Sequence, residues 1–107
     1  MSIKVTHKNR DYILDYTRSA VRRMEQMGFD VDKIQSKPMT MIPLLVSGAF
    51  VHNHSNLKPA KIDEIYDGIK NKNGFIMKLV ELYYETISTL VDDGEEDSEG
   101  NENWEEI

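Results

Sequence analysis

The chain has 107 residues, of which 39% are hydrophobic, and this is enough for one modest core. It contains no cysteine, which excludes disulfide bonds and thiolate metal sites. The net charge is −6, but the charges are unevenly distributed. Residues 92–107 hold nine acids and no base, whereas residues 1–91 hold ten acids and all 13 lysines and arginines. We therefore predict a mildly basic domain over residues 1–91 and an acidic tail over residues 92–107.

The chain shows no signal peptide and no membrane-spanning segment. Its first residues lack a sufficiently long apolar run, and the longest apolar stretch, Met39 to Val51, falls short of the roughly 20 residues that span a bilayer. We expect a cytoplasmic protein with no membrane partner.

The first predicted elements are a β-hairpin and a helix. Ile3 and Val5 alternate with polar residues, as do Tyr12 and Leu14, and residues 6–11 between them have the composition of a turn. Over residues 17–27 the period becomes helical, with an apolar face opposite three arginines; that face comprises Ala20, Val21, Met24 and Met27. Gly28 should close this helix, with Phe29 packed back on its last turn.

A second helix should run from about Met39 or Thr40 to His52. Residues 30–37 carry a weak pattern, with a single helical turn around Val31 to Ile34 that Pro38 ends. Thr40 as N-cap would place Pro43 in the first turn, where its missing N–H has no intrahelical partner. This helix has almost no polar face, so it is either the buried centre of the fold or hides one face against another chain.

Two further helices complete the predicted domain. Pro59 fits the first position of a third helix, with Ile62, Ile65, Tyr66 and Ile69 as its apolar stripe. Residues 71–74 have loop chemistry. A fourth helix ends near Asp92, and one side of it comprises Phe75, Ile76, Leu79, Val80, Tyr83, Ile87, Leu90 and Val91. The fold class is therefore mainly α, with a short N-terminal β-hairpin followed by about four helices in a small bundle.

The sequence offers no constellation for catalysis. His52 and His54 are two residues apart and would point away from each other on a helix, so we interpret them, like His7, as solvated histidines rather than metal ligands. No serine lies in a nucleophile elbow and no glycine pattern is typical of a phosphate-binding loop. We expect no enzyme activity, no metal, no cofactor and no small-molecule substrate.

Charged and aromatic features leave three alternatives open. Arg18, Arg22 and Arg23 form a basic strip on the first helix, which is a phosphate-binding surface, a solvated helix face, or a surface onto which the acidic tail folds back. We favour the solvated face and expect no nucleic-acid partner. The tail should be disordered in the free protein. Within it, Trp104 and Ile107 are either a short recognition segment or chance apolar residues.

Several segments, taken in order, resemble the small tail assembly chaperones of siphophages that infect Gram-positive bacteria. They are residues 12–18 (YILDYTR), 24–29 (MEQMGF), 37–43 (KPMTMIP) running to Gly48-Ala49-Phe50, and an acidic stretch that closes on residues 100–105 (GNENWE). The resemblance implies a helical protein encoded between the tail tube and tape measure proteins. Such a protein coats the tape measure protein during assembly and is absent from the finished virion, and a longer frameshifted product is common.

Two functional hypotheses follow. The first is a tail assembly chaperone that binds and solubilises the tape measure protein, with recruitment of tail tube protein and self-association as further expectations. The alternative is an acidic regulatory protein or DNA mimic that binds a basic partner. For the chaperone, the predicted partner-binding residues lie on the second helix, the fourth helix and the tail: Met39, Met41, Leu44, Leu45, Phe50, Tyr83, Trp104 and Ile107.

Overall fold

The computed structural model describes residues 2–91 and confirms the predicted fold class of a hairpin followed by four helices. In chain order the elements are β1 (Ile3–His7), β2 (Arg10–Leu14), α1 (Arg18–Gln26), a 3-10 turn (Val31–Lys33), α2 (Pro38–Phe50), α3 (Pro59–Asp67) and α4 (Lys72–Ser88). Within residues 2–91, none of the helices has the length and apolar character needed to cross a bilayer. The predicted disorder of the acidic tail, and the roles of Trp104 and Ile107, concern residues outside those described.

The hairpin is longer than its sequence pattern suggested. Strands β1 and β2 pair antiparallel, with Ile3 opposite Leu14. The turn consists of Lys8 and Asn9 alone, and both have positive φ angles of 51° and 67°. A two-residue turn with two positive φ angles matches the right-handed twist of the flanking strands. The predicted turn over residues 6–11 was therefore too wide, because its outer residues belong to the ladder.

Helix α1 is capped at both ends, and its closure at Gly28 was predicted, whereas Thr17 is its N-cap and not its first residue. The Thr17 side chain accepts a hydrogen bond from the Ala20 amide at 3.0 Å, as an N-cap residue does. At the other end Gly28 has φ +97°, and the amide of Phe29 donates to the Met24 carbonyl at 2.9 Å, which is a Schellman closure. Met27 is the exception to the predicted buried face, because it is 60% exposed.

Helix α2 begins earlier than predicted, at Pro38, so the prediction of Thr40 as N-cap and Pro43 in the first turn was wrong. Pro38 does not end the preceding segment but occupies the first helical position, which suits its fixed φ and its lack of an N–H. Pro43 consequently lies inside the helix, where it cannot donate to the carbonyl of Met39. The helix also ends earlier, at Phe50 rather than His52.

Helix α3 begins at Pro59 as predicted, whereas α4 begins at Lys72, inside the segment predicted to be a loop. The reason is Asn71, which adopts a left-handed conformation and caps the helix by accepting a hydrogen bond from the Gly74 amide at 3.2 Å. Helix α4 ends at Ser88, and Leu90 and Val91 beyond it are exposed. The predicted apolar stripe was therefore too long at its end, and it also missed the buried Leu82.

Helix α2 is the centre of the core, as the first of the two alternatives for its apolar sequence predicted. It packs against α1, α3, α4 and β2. Among the most deeply buried large side chains are Leu14, Leu45, Phe50, Ile65 and Leu79, drawn from four of these elements. The buried Tyr16 hydroxyl donates to the Leu45 carbonyl at 2.6 Å, and burial raises the pKa of Tyr16 far above its usual value. The apolar character of α2 is thus explained by packing within this chain.

Candidate functional site

An open apolar groove runs between the 3-10 turn, α2, α3 and α4, with a cavity volume of about 730 Å³. This volume lies within the roughly 300–1,000 Å³ of typical ligand-binding clefts. We call it the helix groove. Its apolar lining comprises Val31, Ile34, Pro38, Ile42, Tyr66, Ile76, Met77 and Val80, and its polar edge comprises Asp32, Gln35, Lys72 and Asn73.

The width of the apolar stripe on α4 explains why the helix groove exists. Leu79, Leu82 and Tyr83 point into the core and are buried. Ile76 and Val80, one turn apart, continue this stripe on one side, where they pack against the edge of the core, line the groove and stay half-buried. The apolar stripe of α4 is therefore wider than this small core covers.

The 3-10 turn and the start of α2 form the opposite wall. The Asp30 side chain accepts a hydrogen bond from the Asp32 amide at 3.0 Å and so fixes the first residues of the turn. Val31 and Ile34 then contact the core from outside and remain half-buried. Pro38 and Ile42 are four residues apart on α2 and therefore share one helix face. Local capping and helical spacing thus place four apolar side chains along one wall.

Tyr66 and Lys72 close one part of the groove. The Lys72 ammonium donates to the carbonyls of Asp67 and Ile69, both at 3.0 Å, and lies 5.6 Å from the centre of the Tyr66 ring. A cation at these carbonyls complements the negative end of α3. Burial first, and then the charge of Asp67, raise the pKa of Tyr66, so the groove presents a neutral phenol.

The structure places the predicted partner-binding residues in three environments. Met41, Leu45, Phe50 and Tyr83 are buried in the core. Leu44 is half-buried, and Met39 is 88% exposed. Trp104 and Ile107 lie outside the described residues. The binding roles assigned to the four core residues stay untested, but the helix groove does not include them.

Met77 was not among the predicted partner-binding residues, although it is 65% exposed and lines the groove. Its signal in the sequence was the width of the apolar pattern on α4. Ile76, Val80 and Met77 extend the buried stripe of Leu79 and Tyr83 around one side of the helix. That width indicates a helix with more apolar surface than one core face uses.

His52 is exposed, as predicted for a solvated histidine, whereas His54 and His7 are half-buried, and all three make contacts between the hairpin region and the helical part of the chain. His52 Nδ1 lies 2.9 Å from Asp15 Oδ1, and His54 Nε2 accepts a hydrogen bond from the Ile13 amide at 2.9 Å. Asn53 between them donates to the Ile13 carbonyl at 3.1 Å. These three consecutive side chains hold the end of β2 against the segment that follows α2. The positions of these side chains are therefore explained by docking of the hairpin rather than by a catalytic or metal-binding role.

The third histidine belongs to an ion cluster around Glu64. Glu64 Oε2 lies 2.9 Å from His7 Nε2, 3.1 Å from Lys61 Nζ and 3.3 Å from Lys8 Nζ. The hydrogen bond to His7, followed by those to Lys61 and Lys8, lowers the pKa of Glu64 from 4.5 to about 2. A carboxyl whose pKa is depressed on folding stabilises the fold above pH 4.5, and this contribution is lost as the pH falls towards 2.

This cluster gives a first prediction. We expect the Glu64 carboxyl to titrate near pH 2 by NMR, and His7→Ala to move its pKa upward because the variant removes the largest stabilising contact. His52→Ala is the matched control, since His52 contacts Asp15 instead and should leave the titration of Glu64 unchanged. A wild-type Glu64 that titrates near 4.5 would show that the cluster does not form in solution.

The helix groove presents mainly apolar side chains. Within residues 2–91, no group of three or more histidine, aspartate or glutamate side chains is placed to hold a metal ion. The titratable groups at the edge of the helix groove are Asp32 and Lys72, and Lys72 is engaged with the α3 carbonyls. What the groove offers a ligand is apolar surface, one neutral phenol and a thioether.

Comparison with known proteins gives one match. A family model described as a domain of unknown function, DUF5055, matches residues 1–106. No curated protein and no solved structure gives a significant match to the chain.

Proposed function

The chain belongs to the DUF5055 family, and we propose that it is an assembly chaperone that binds apolar helical segments of a partner protein in the helix groove. The observation that carries this proposal is the wide apolar stripe of α4, whose outer residues Ile76, Met77 and Val80 line an open groove and are not fully covered by the core. Large apolar surfaces that a small domain leaves uncovered commonly mark sites of protein interaction.

The shape and lining of the helix groove suit a helix better than an extended strand. Helical ligands dock through apolar side chains spaced three and four residues apart into a groove between other helices. Three helices and a 3-10 turn form its walls. The exposed Met77 adds a flexible, polarisable contact, which suits a site that must accept successive segments of differing sequence. The hairpin edges lie elsewhere, so strand addition has no part in the proposal.

The partner that we propose is the tape measure protein of a siphophage tail. The resemblance to tail assembly chaperones supplies this identity, and the helix groove supplies a surface that fits long, apolar helical segments. Binding would keep these segments from aggregating in the cytoplasm of an infected or lysogenic host until tail tube protein surrounds them. The chaperone would then leave, so it would be absent from the virion. Gene position tests the identity: a tape measure gene should lie directly downstream.

The groove itself is tested by co-expression with the tape measure protein from the same gene cluster. We expect the wild-type chain to raise the soluble fraction of that protein and to co-purify with it. Met77→Glu should abolish both effects, because it places a charge in an apolar site, while the circular dichroism spectrum stays unchanged since the side chain is 65% exposed. A loss of at least about tenfold in affinity, or about 1.4 kcal/mol, is expected.

Met27→Glu is the matched control. It makes the same substitution at the methionine that directly follows α1, which is 60% exposed and does not line the groove. This variant should bind and solubilise the partner as the wild type does. Equal loss in both variants would point to a general effect of charge, and normal binding by Met77→Glu would place the binding surface outside the groove.

A further inference from the structure

The end of α4 is tied to the start of α1 by one side chain. Arg18 Nε donates to Thr89 Oγ1 at 2.8 Å, and its Nη2 donates to the Thr89 carbonyl. An arginine at this position satisfies a carbonyl at the C-terminal end of a helix and complements its dipole. Asp92 follows Thr89 by three residues, and each residue of a chain spans at most ~3.3–3.6 Å. The acidic tail therefore starts within about 10 Å of the Arg18–Thr89 contact.

The surface at this point is the basic strip of α1. Arg18, Arg22 and Arg23 are all exposed, and Arg18 and Arg22 share one face because they are four residues apart. Among residues 2–91, neither Arg22 nor Arg23 forms an ion pair. The single acid within α1 is Glu25. Two guanidinium groups without an ion pair among residues 2–91 therefore lie further along the helix that begins at the Arg18–Thr89 contact, and Arg22 is about one turn from Arg18.

We infer that the acidic tail, residues 92–107, lies along the basic strip of α1 and is its intramolecular ligand. The tail carries nine acids and no base, and four of these acids fall within its first five residues: Asp92, Asp93, Glu95 and Glu96. Individual exposed ion pairs contribute little. Covalent attachment next to the strip, however, gives the tail a high effective concentration there, and several carboxylates can exchange between the arginines.

The helix groove is a less suitable place for these acids. Ile76 lies 12 positions before Ser88, where α4 ends, or roughly 18 Å along the helix at 1.5 Å per residue, so the middle of the groove is remote from the first acids of the tail. The cation at the groove edge, Lys72, already bonds to the carbonyls of Asp67 and Ile69. The proposed contact on α1 does not depend on whether the groove binds a partner.

The absence of cysteine makes a direct test possible in the full chain. Ser98→Cys provides a single attachment point for a nitroxide spin label within the acidic tail. At low ionic strength we expect the label to remove the amide signals of Arg22 and Arg23. The signals should return in about 1 M NaCl, where the Debye length is about 3 Å. In a labelled protein that combines Arg22→Glu and Arg23→Glu, the amide signals of positions 22 and 23 should be present at low ionic strength.

Lys4→Glu combined with Lys70→Glu is the matched control, because it changes the net charge equally at two exposed lysines outside α1. In this variant the α1 signals should stay broadened. The inference is overturned if broadening of α1 is absent at low salt, if it persists after charge reversal of the strip, or if it falls on Ile76 and Val80 instead. The last outcome would make the tail a ligand of the helix groove.

Discussion

Phe50→Ala is expected to destabilise the domain by about 3–5 kcal/mol, the usual cost of removing a buried aromatic ring. Phe50 is 1% exposed, at the end of the central helix. Its ring packs edge-on against Tyr12 from the hairpin, with centroids 6.0 Å apart, and lies 6.1 Å from His54. One side chain therefore joins α2, the hairpin and the segment after α2, and its loss leaves a cavity between three parts of the fold.

Chemical unfolding followed by circular dichroism measures this effect. Small domains have a total stability of roughly 5–15 kcal/mol, so the variant should be partly unfolded in mild denaturant. Val51→Ala is the control, because the next residue in the chain is 44% exposed and should change stability by less than about 0.5 kcal/mol. A Phe50→Ala variant as stable as this control would mean that the hairpin does not dock on α2.

Pro43→Ala is expected to act in the opposite direction and stabilise the domain. A proline inside a helix removes one hydrogen bond and crowds the carbonyl four residues earlier, at a cost of about 3 kcal/mol. Pro43 is exposed, so alanine gives up little packing while it supplies an amide for the Met39 carbonyl. We expect a gain of about 1–3 kcal/mol, and each kcal/mol raises the melting temperature by about 4–8 °C in a domain of this size.

Pro38→Ala separates this effect from a general effect of replacing proline. Pro38 occupies the first helical position, where no intrahelical donor is lost, so its replacement should not raise the melting temperature. A Pro43→Ala variant that melts at or below the wild-type temperature would contradict the expected gain. It would indicate that α2 needs the irregularity at Pro43 in order to pack against its neighbours.

Local chemistry was sufficient to predict most of the fold. Thr17 and Gly28 bound α1 through hydrogen bonds within a few residues, and Pro59 starts α3 for a reason intrinsic to proline. The errors arose where two local signals competed. Pro38 and Pro43 both suit a helix start, and only the packing of α2 in the core decides that Pro38 takes that position.

The candidate site was harder to predict because it is assembled from distant parts of the chain. Met41, Leu45 and Phe50 belong to the most apolar helix, yet the other elements cover them, and periodicity cannot show which apolar helix a bundle buries completely. The helix groove instead combines residues of the 3-10 turn, α2, α3 and α4. Likewise, the partners of His52 and His54 are Asp15, directly after β2, and Ile13 on β2, which lie 37 and 41 residues away in sequence.

The most direct test of the proposed chaperone is methyl NMR of the full chain, titrated with an apolar helical peptide from the tape measure protein. Ile34, Ile42 and Ile76 line the helix groove, whereas Ile3 and Ile87 lie outside it and serve as internal controls. The proposal predicts that the methyl signals of the three groove isoleucines shift together and saturate, while the two controls stay in place. Shifts confined to the two control isoleucines would contradict the proposal. So would the absence of any shift at a peptide concentration at which the peptide stays soluble in the presence of the chain.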